Sequence, residues 1–435
     1  MLSSSLQHHA HNLHTLLSPP HSLHSHLRKR YSKSCICAFA PSQESEVKVL
    51  ILGATGRVGG STASALSRLC PNVKLFLAGR NRVKGEELST VIDGNTAFVE
   101  VDIDDKISLG KALHGKDIVI HAAGPFQRKE HCNVLELAIE NKVAYIDVCD
   151  DLEYSQKTKA LHEKAKAANV PAIITAGVYP GVSNVMAAEL VRLIGPDEGR
   201  PEFMRFSYFT AGSGGAGPTI LSTSFLLLGE DVLAYRRGEK VLLKPFTNGL
   251  IIDFGRGVGR RNVYLLNLPE VATAHEILGV PSVSARFGTA PVFWNWAMGA
   301  VANLVPSGFL KDKAKVQQLV GLADPLVRAI DGLVGECMSM RVDLETTSGK
   351  KSVGLFTHKK LSICVGIAVS AFVRAMIEGS TQPGVWYPEE LDAMDIEARE
   401  TFLERASEGT FNFVMNKSPW MIEQDPKQLG FGIYA

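Results

Sequence analysis

The chain has 435 residues, more than one ordinary hydrophobic core organises, so the sequence predicts two domains. Apolar residues make up 45% and charged residues 21%, a balance typical of soluble globular proteins. The 46 basic and 45 acidic residues nearly cancel, so electrostatics gives no support for a nucleic-acid partner.

The first 40 residues differ in composition from the rest. They lack Asp and Glu, are rich in Ser and His, and carry a basic cluster at Arg28–Arg30. Such a composition is typical of a plastid or mitochondrial transit peptide. The excess of Ser and His over Arg, with "CICA" ahead of Phe39, favours the chloroplast stroma, with membrane or plastoglobule association left open. A disordered native tail is the alternative.

The stretch "KVLILGATGRVGG" joins a short apolar strand to a helix through glycines. Gly53 would permit a tight turn, Gly56 would let the backbone approach a pyrophosphate, and Gly59 would let the helix pack closely on the strand. Amides at the start of the helix would face the phosphates. The pattern predicts dinucleotide contacts at Gly53, Thr55, Gly56, Arg57 and Val58.

The second predicted strand, "VKLFLAGR", ends at Arg80 and is followed by Asn81. Enzymes that use NAD usually have an acid here, which holds the ribose hydroxyls. A guanidinium instead pairs well with a 2′-phosphate, so we expect Arg80 and Asn81 to select NADP(H). A solvated surface arginine is the alternative.

Four more apolar runs continue the pattern. "AFVEVDI" ends at Asp102, expected at the adenine, and "DIVIHAAGPF" contains Ala123 and Gly124, small enough for a cofactor to lie against the backbone. "AYIDVC" and "PAIITAG" follow, with helical segments between the runs. This alternation predicts an α/β fold with a Rossmann-type doubly wound parallel sheet.

Three positions are candidates for catalysis. Tyr179 and Asn184 bound the segment "YPGVSN", which follows a strand and begins a helix; either could face substrate, or Ser183 and Asn184 could simply cap the helix. His121 ends the fourth strand and would suit a general acid near neutral pH, with a packed strand histidine as the alternative. Asp147 would orient the Tyr179 loop or make strand-end hydrogen bonds.

Residues 203–350 lose the alternation and show the strand-like runs "FMRFSYFTAG", "NVYLLNL", "SVSARFG" and "SMRVDLETT". They predict an open sheet, one face of which packs on helices or on a partner subunit. Within this region, the Gly-rich loop Gly212–Phe225 and Arg286 could hold an anionic substrate. A flexible crossover and a structural arginine are the respective alternatives.

Two long apolar segments raise the question of a membrane. Phe287–Leu310 has no charge and the length to span a bilayer, but prolines and asparagines interrupt it, so we expect a buried or interfacial segment. Peripheral lipid contact and packing in a homodimer are both open. Leu361–Val373 is shorter, and we expect a buried helix against the cofactor domain.

Cysteines are scattered, without a C-x-x-C pair or a companion His at metal-ligand spacing. We therefore expect free thiols and no metal site.

The motifs "GATGRVGG", "LAGRN", "VIHAAGPF", "YIDVCDD" and "AGVYPGVSN" follow one another in the order and spacing of the saccharopine dehydrogenase-like reductases. The chain resembles that family over residues 46–190 and again over 355–392. The resemblance implies an NADP-dependent oxidoreductase whose first domain is interrupted by an α+β domain for substrate or dimerisation. The implied units are a cofactor domain at 46–190, an inserted domain at 191–350, a return at 351–395, and a C-terminal helix and tail at 396–435.

The resemblance implies hydride transfer to or from a C=N, C=O or C=C bond of a small metabolite or a lipid-like substrate lying between the domains. Gln127–Cys132 stands where relatives have Gly-Glu-Pro, which argues against an amino-acid substrate such as saccharopine. The alternative function is an NADPH-binding sensor, or a membrane-associated scaffold, that turns over nothing.

Overall fold

The structure is a computed structural model that describes residues 46–92, 95–211, 218–422, 428–430 and 433–434. The predicted transit peptide lies outside these residues. The described residues belong to one compact unit.

The first part of this unit alternates strands with helices. In chain order the elements are β1 Val47–Leu52, α1 Arg57–Leu69, β2 Val73–Gly79, α2 Arg82–Val91, β3 Thr96–Glu100, α3 Lys106–Leu113, β4 Ile118–His121, α4 Asn133–Glu140, β5 Ala144–Asp147, α5 Leu152–Lys159, α6 His162–Ala167, β6 Pro171–Ile173 and α7 Val182–Arg192.

The alternation then stops, as predicted, and longer strands follow. The elements are β7 Pro201–Ala211, α8 Pro218–Leu228, β8 Val232–Arg236, β9 Glu239–Leu243, β10 Leu250–Asp253, β11 Arg260–Leu265, α9 Glu270–Glu276, β12 Ser282–Ala290, α10 Val292–Leu304, α11 Ser307–Leu310, α12 Lys313–Val334, β13 Cys337–Thr346, β14 Lys351–His358, α13 Leu361–Ile377, β15 Gly384–Trp386, α14 Ile396–Ala406, β16 Asn412–Lys417, a 3₁₀ turn Pro419–Met421, β17 Gln428–Gly430 and β18 Ile433–Tyr434.

Seven of the described strands form a parallel sheet in the order β3-β2-β1-β4-β5-β6-β15. The predicted doubly wound sheet is therefore confirmed. Its strand order reverses between β1 and β4, where such sheets bind ligands beyond the carboxyl ends of the strands. The last strand of this sheet, β15, follows β7–β14 of the second part in the chain. The chain therefore returns to complete the first sheet.

Helices cover both faces of this sheet, which is why its strands are nearly uninterrupted apolar runs. Val49–Leu52 in β1 is buried. On one face α13 packs against α1, and Gly366 makes the approach close: a Cβ there would lie 2.6 Å from the Ser61 carbonyl carbon. Most of α13 is buried, as the apolar run Leu361–Val373 predicted.

The second sheet is mixed and runs β10-β11-β12-β7-β13-β14-β16, with the β8–β9 hairpin attached to β12. The β7 and β12 strands are parallel and the other pairs antiparallel. Two boundaries differ from the prediction. The return to the first sheet begins with α13 rather than at residue 351, because β14 pairs with β13. The C-terminal part also adds β16 to this sheet.

The charge-free stretch Phe287–Leu310 forms the end of β12, then α10 and α11. Trp296 and Leu304 are 66% and 81% exposed. None of the helices in the described part of the chain is long and apolar enough to cross a membrane. Contact of this surface with lipid or with a second copy stays a prediction.

Candidate functional site

A cavity of about 440 Å³ opens at the switch point of the parallel sheet. The loops after β1, β2, β3 and β4 form most of its wall. Nine of the ten predicted cofactor residues line it: Gly53, Thr55, Gly56, Arg57, Val58, Arg80, Asp102, Ala123 and Gly124.

The glycines leave room that side chains would fill. Gly53 has φ +84°, and a Cβ there would lie 2.8 Å from the Ala122 carbonyl oxygen. A Cβ at Gly59 would lie 2.9 Å from the Ala54 Cα. Gly56 caps α1 and offers no side-chain acceptor to the first amides of the helix. Gly56, Arg57 and Val58 line the cavity. This cradle fits a dinucleotide diphosphate.

The predicted selectivity element sits beside the cavity. Arg80 is exposed and lines both the main cavity and an adjoining groove, whose wall also includes Asn81, Arg82 and Glu100. Asn81 caps α2 by accepting a hydrogen bond from the Lys84 amide at 3.0 Å. Two guanidinium groups thus flank the end of β2, where a 2′-phosphate would lie.

Two further cations on the cavity wall were not predicted. Lys129 pairs with Asp104 at 3.3 Å, and burial lowers the pKa of Lys313. Lys129 follows the "GPF" motif closely, which could have signalled it. Lys313 begins a helix of the second half of the chain, so no local pattern connects it with the cofactor.

A second cavity of about 140 Å³ continues the first and shares four residues with it: Val58, Ala122, Gly124 and Pro125. Its other lining residues are Phe126, Val148, Asp150, Gly177, Val178, Tyr179, Pro180, Thr223, Leu361 and Val365. The loops that follow β4, β5 and β6, together with Thr223 of α8 and Leu361 and Val365 of α13, therefore surround a small, mainly apolar space beside the cofactor cavity.

Asp150 is the one carboxylate among the described residues that line this second cavity. Its Oδ1 accepts a hydrogen bond from Gln127 Nε2 at 2.8 Å, and Gln127 Oε1 accepts one from the Thr223 hydroxyl at 3.3 Å. Burial raises the pKa of Asp150 from 3.8 to about 6. The sequence analysis missed Asp150, although an acid just after β5 lies at the sheet edge where ligands bind.

Tyr179 lines the same cavity, as predicted for a residue that faces substrate. Its ring stacks on Tyr208 with centroids 4.7 Å apart, and the Tyr208 hydroxyl donates to Glu270 at 2.6 Å. The Tyr179 hydroxyl is buried and has no hydrogen-bond partner among the described residues. Burial raises its pKa well above the usual value, so it stays protonated and can donate.

Asn184 lies outside both cavities, and the structure gives it the capping role that the sequence left open. Its Oδ1 accepts from the Gly181 amide at 2.9 Å, while Nδ2 donates to Thr273 at 3.1 Å and to Glu389 at 2.8 Å. With its amide engaged in these bonds and 2% exposed, the side chain does not face substrate.

His121 also lies outside both cavities. It is 1% exposed, its Nδ1 accepts from the Ala123 amide at 3.4 Å, and its ring packs 4.8 Å from that of Phe126. Burial lowers the pKa of His121 to about 3, so the ring is neutral at physiological pH. This geometry is that of a packed strand histidine and does not support the predicted general acid.

The remaining candidates are structural or lie elsewhere. Asp147 accepts hydrogen bonds from the Thr175 amide at 2.7 Å and the Cys149 amide at 3.0 Å, so it ties β5 to the segment leading to Tyr179. Arg286 donates to the Ser284 hydroxyl at 2.9 Å and does not line either cavity. Residues 212–217 of the Gly-rich loop lie outside the described residues.

Comparison with known proteins identifies the segment that forms most of the first cavity. The family model of the saccharopine dehydrogenase NADP-binding domain matches residues 49–173. This segment is an NADP-binding domain of the saccharopine dehydrogenase type. The match confirms the expected cofactor, NADP(H), and supports the expected resemblance over this segment. The cradle described above is where the segment would hold the cofactor.

Similarity to known proteins extends beyond this segment. A carboxynorspermidine synthase from Vibrio cholerae serotype O1 is 22% identical over 357 residues, which cover 74% of this chain and 83% of that protein. The apo saccharopine dehydrogenase (L-Glu forming) of Saccharomyces cerevisiae superposes with a TM-score of 0.63 at 14% identity, over 86% of this chain and 99% of that one. At this identity the superposition shows a shared fold.

The cysteines behave as expected where they are described: Cys70, Cys132, Cys149, Cys337 and Cys364 are free thiols. Among the described residues, no group of three or more His, Cys, Asp or Glu is arranged to hold a metal ion.

Proposed function

We propose that this protein is an NADP(H)-dependent oxidoreductase that acts on a small substrate held in the second cavity, at a C=N, C=O or C=C bond. The observation that supports this most directly is the continuity of the two cavities through Val58, Ala122, Gly124 and Pro125. A substrate in the second cavity would lie against the end of the dinucleotide groove. When bound in the first cavity, NADP(H) supplies or accepts a hydride.

The residues of the second cavity divide the remaining work. Val58, Phe126 and Leu361 exclude water from the reacting bond, because they present apolar surface. Asp150 moves the proton: its pKa of about 6 lets it hold or release one near neutral pH. Gln127 fixes the orientation of that carboxyl through its hydrogen bond.

Tyr179 supplies a second hydrogen-bond donor on the cavity wall. Its buried hydroxyl has no partner among the described residues, so a substrate heteroatom would satisfy it. Stacking on Tyr208 limits rotation of the ring. Tyr179 therefore serves to orient the substrate, while Asp150 exchanges the proton.

Transfer of isotope tests the function. The full chain is given NADPH deuterated at C4 together with a plastid metabolite extract, and the products are analysed by mass spectrometry. We expect deuterium in a metabolite, and transfer slower by roughly 10²–10⁴-fold in an Asp150→Asn variant that still binds NADPH. Tight NADPH binding without label in any metabolite would instead support a binding protein that turns over nothing. Unimpaired transfer by the variant would remove Asp150 from the mechanism.

We also propose that residues 1–40 direct the protein to the plastid stroma. The proposal rests on their lack of Asp and Glu and their abundance of Ser and His. A fluorescent protein that carries these residues should be imported into chloroplasts and shortened near Phe39. Import into mitochondria, or retention in the cytosol, would contradict it.

A further inference from the structure

Among the described residues that line the second cavity, the ionisable side chains are acids. Of its described lining residues, Asp150 and Tyr179 are ionisable and none is a Lys, Arg or His. The described lining of this cavity therefore lacks the guanidinium or ammonium group with which proteins usually hold a substrate carboxylate.

Of the neighbouring carboxylates, Asp151 adds negative charge near the cavity, whereas Glu230 is compensated by its ion pair with Arg128. After burial, the carboxylates of Asp151 and Glu230 contribute to the raised pKa of Asp150. Arg128, which follows Gln127, is paired with Glu230 at 3.1 Å. Its charge is thus already compensated by a carboxylate, and Arg128 does not line the cavity.

The cations lie on the other side, around the cofactor. Arg57, Arg80, Lys129 and Lys313 line the first cavity, together with Asp102 and Asp104. Lys129 is paired with Asp104 at 3.3 Å, so Arg57, Arg80 and Lys313 remain for a diphosphate and a 2′-phosphate to neutralise. The site thus separates a positive groove for the dinucleotide from a negative pocket for the substrate. In such a partly buried place, charge complementarity is worth more than in water.

We infer that the second cavity selects a small apolar amine, bound as its cation or as the related iminium, and rejects substrates that carry a carboxylate. Asp150 forms the ion pair with the amine nitrogen, and the apolar wall of Phe126, Val148, Val178 and Leu361 holds the hydrocarbon part. This inference rests on the proposed function, because it names the substrate class of the same cavity.

Binding of two matched ligands tests the inference without turnover. Cyclohexylamine and cyclohexanecarboxylate share one ring and differ in the sign of their charge at pH 7.5. Each is titrated calorimetrically into the full chain saturated with NADP⁺. We expect the amine to bind more tightly by at least about tenfold. Equal affinities, tighter binding of the carboxylate, or no binding of the amine would overturn the inference.

A variant shows which residue is responsible. Asp150→Asn keeps an oxygen for the Gln127 hydrogen bond and should abolish the preference for the amine, whereas Glu163→Gln, on the exposed surface of α6, should preserve it. An amine preference that survives Asp150→Asn would exclude Asp150 as the partner and overturn the assignment. The comparison of ligands on the parent protein is decisive even where the variant does not fold.

The two proposals fail separately. Deuterium transfer with tighter carboxylate binding would retain the oxidoreductase and remove the amine selectivity. Amine selectivity without deuterium transfer to any metabolite would retain the charge of the pocket and remove the proposed reaction.

Discussion

Arg80 is the residue that we predict to determine the choice between NADPH and NADH. It stands at the end of β2, where NAD enzymes have an acid, and it lines both the main cavity and the groove beside Asn81. A charge-assisted hydrogen bond to a phosphate contributes about 1.5–3 kcal/mol, whereas a ribose hydroxyl gains little from a guanidinium. Discrimination between NADPH and NADH should therefore depend mainly on this residue.

We predict that Arg80→Ala raises the Kd of NADPH by roughly 10–100-fold and leaves that of NADH nearly unchanged. Quenching of tryptophan fluorescence during titration with each cofactor measures both constants. Lys84→Ala is the matched control, because Lys84 is exposed on α2 and lies outside the cavities. A variant that still prefers NADPH as strongly as the parent would refute the assignment.

Single residues also show where sequence reasoning reaches its limit. The cofactor residues were predictable because a glycine turn between a strand and a helix is a local pattern. Asn184 was ambiguous, since capping and catalysis use the same side-chain chemistry and only its partners Thr273 and Glu389 separate the two. The position of Asp150 just after β5 was a local signal for a ligand site, but the burial that raises its pKa depends on the packing of the folded chain.

At the scale of elements, α13 determines how the cofactor helix is held. It crosses α1 at Gly366, and a Cβ there would lie 2.6 Å from the Ser61 carbonyl carbon and 2.9 Å from the Thr62 nitrogen. Because both neighbours are backbone atoms, they cannot yield without moving α1, whose first turn forms the phosphate cradle.

Replacing Gly366 by Ala should lower the free energy of unfolding by about 1–3 kcal/mol through overpacking, measured by denaturant titration. Gly321→Ala in α12 is the control: a Cβ at Gly321 meets nothing within 4 Å, so the same exchange should stabilise the helix by roughly 0.5–1 kcal/mol. Equal effects of the two substitutions would show that the α1–α13 contact is not tight.

Most strands of the parallel sheet were predictable, because buried parallel strands are short apolar runs at regular intervals. The boundary at residue 351 was not. Lys351–His358 reads as a strand of either sheet, and its antiparallel pairing with β13 assigns it to the second one. The partner of a strand depends on distant residues, so composition alone does not determine it.

For the whole molecule, buried carboxyl groups between the two sheets make stability depend on pH. Glu270 is fully buried, accepts hydrogen bonds from Tyr208 and Ser183, and leaves its second oxygen without a partner among the described residues. Burial raises its pKa from 4.5 to about 7. The folded protein therefore holds this proton up to about pH 7, whereas the unfolded chain releases it near pH 4.5.

Because the folded state binds the proton more strongly, Glu270 lowers the free energy of unfolding as pH rises from about 4.5 to 7. Above pH 7 this loss of unfolding free energy is constant. Relative to the parent, Glu270→Gln should gain up to about 3 kcal/mol of unfolding free energy across this window. Chemical denaturation at several pH values measures the difference. The exposed Glu163→Gln should show no such slope; equal slopes in both variants would contradict the prediction.

The strand β15 has a consequence for synthesis. A ribosome must translate through Trp386 before the parallel sheet can be completed, so the β6 edge of the nascent chain stays unpaired for roughly half of elongation. During that interval the unpaired border is a template for wrong intermolecular pairing. Because this edge is completed late, we expect a chaperone to shield it during synthesis and do not expect the amino-terminal half to fold early by itself.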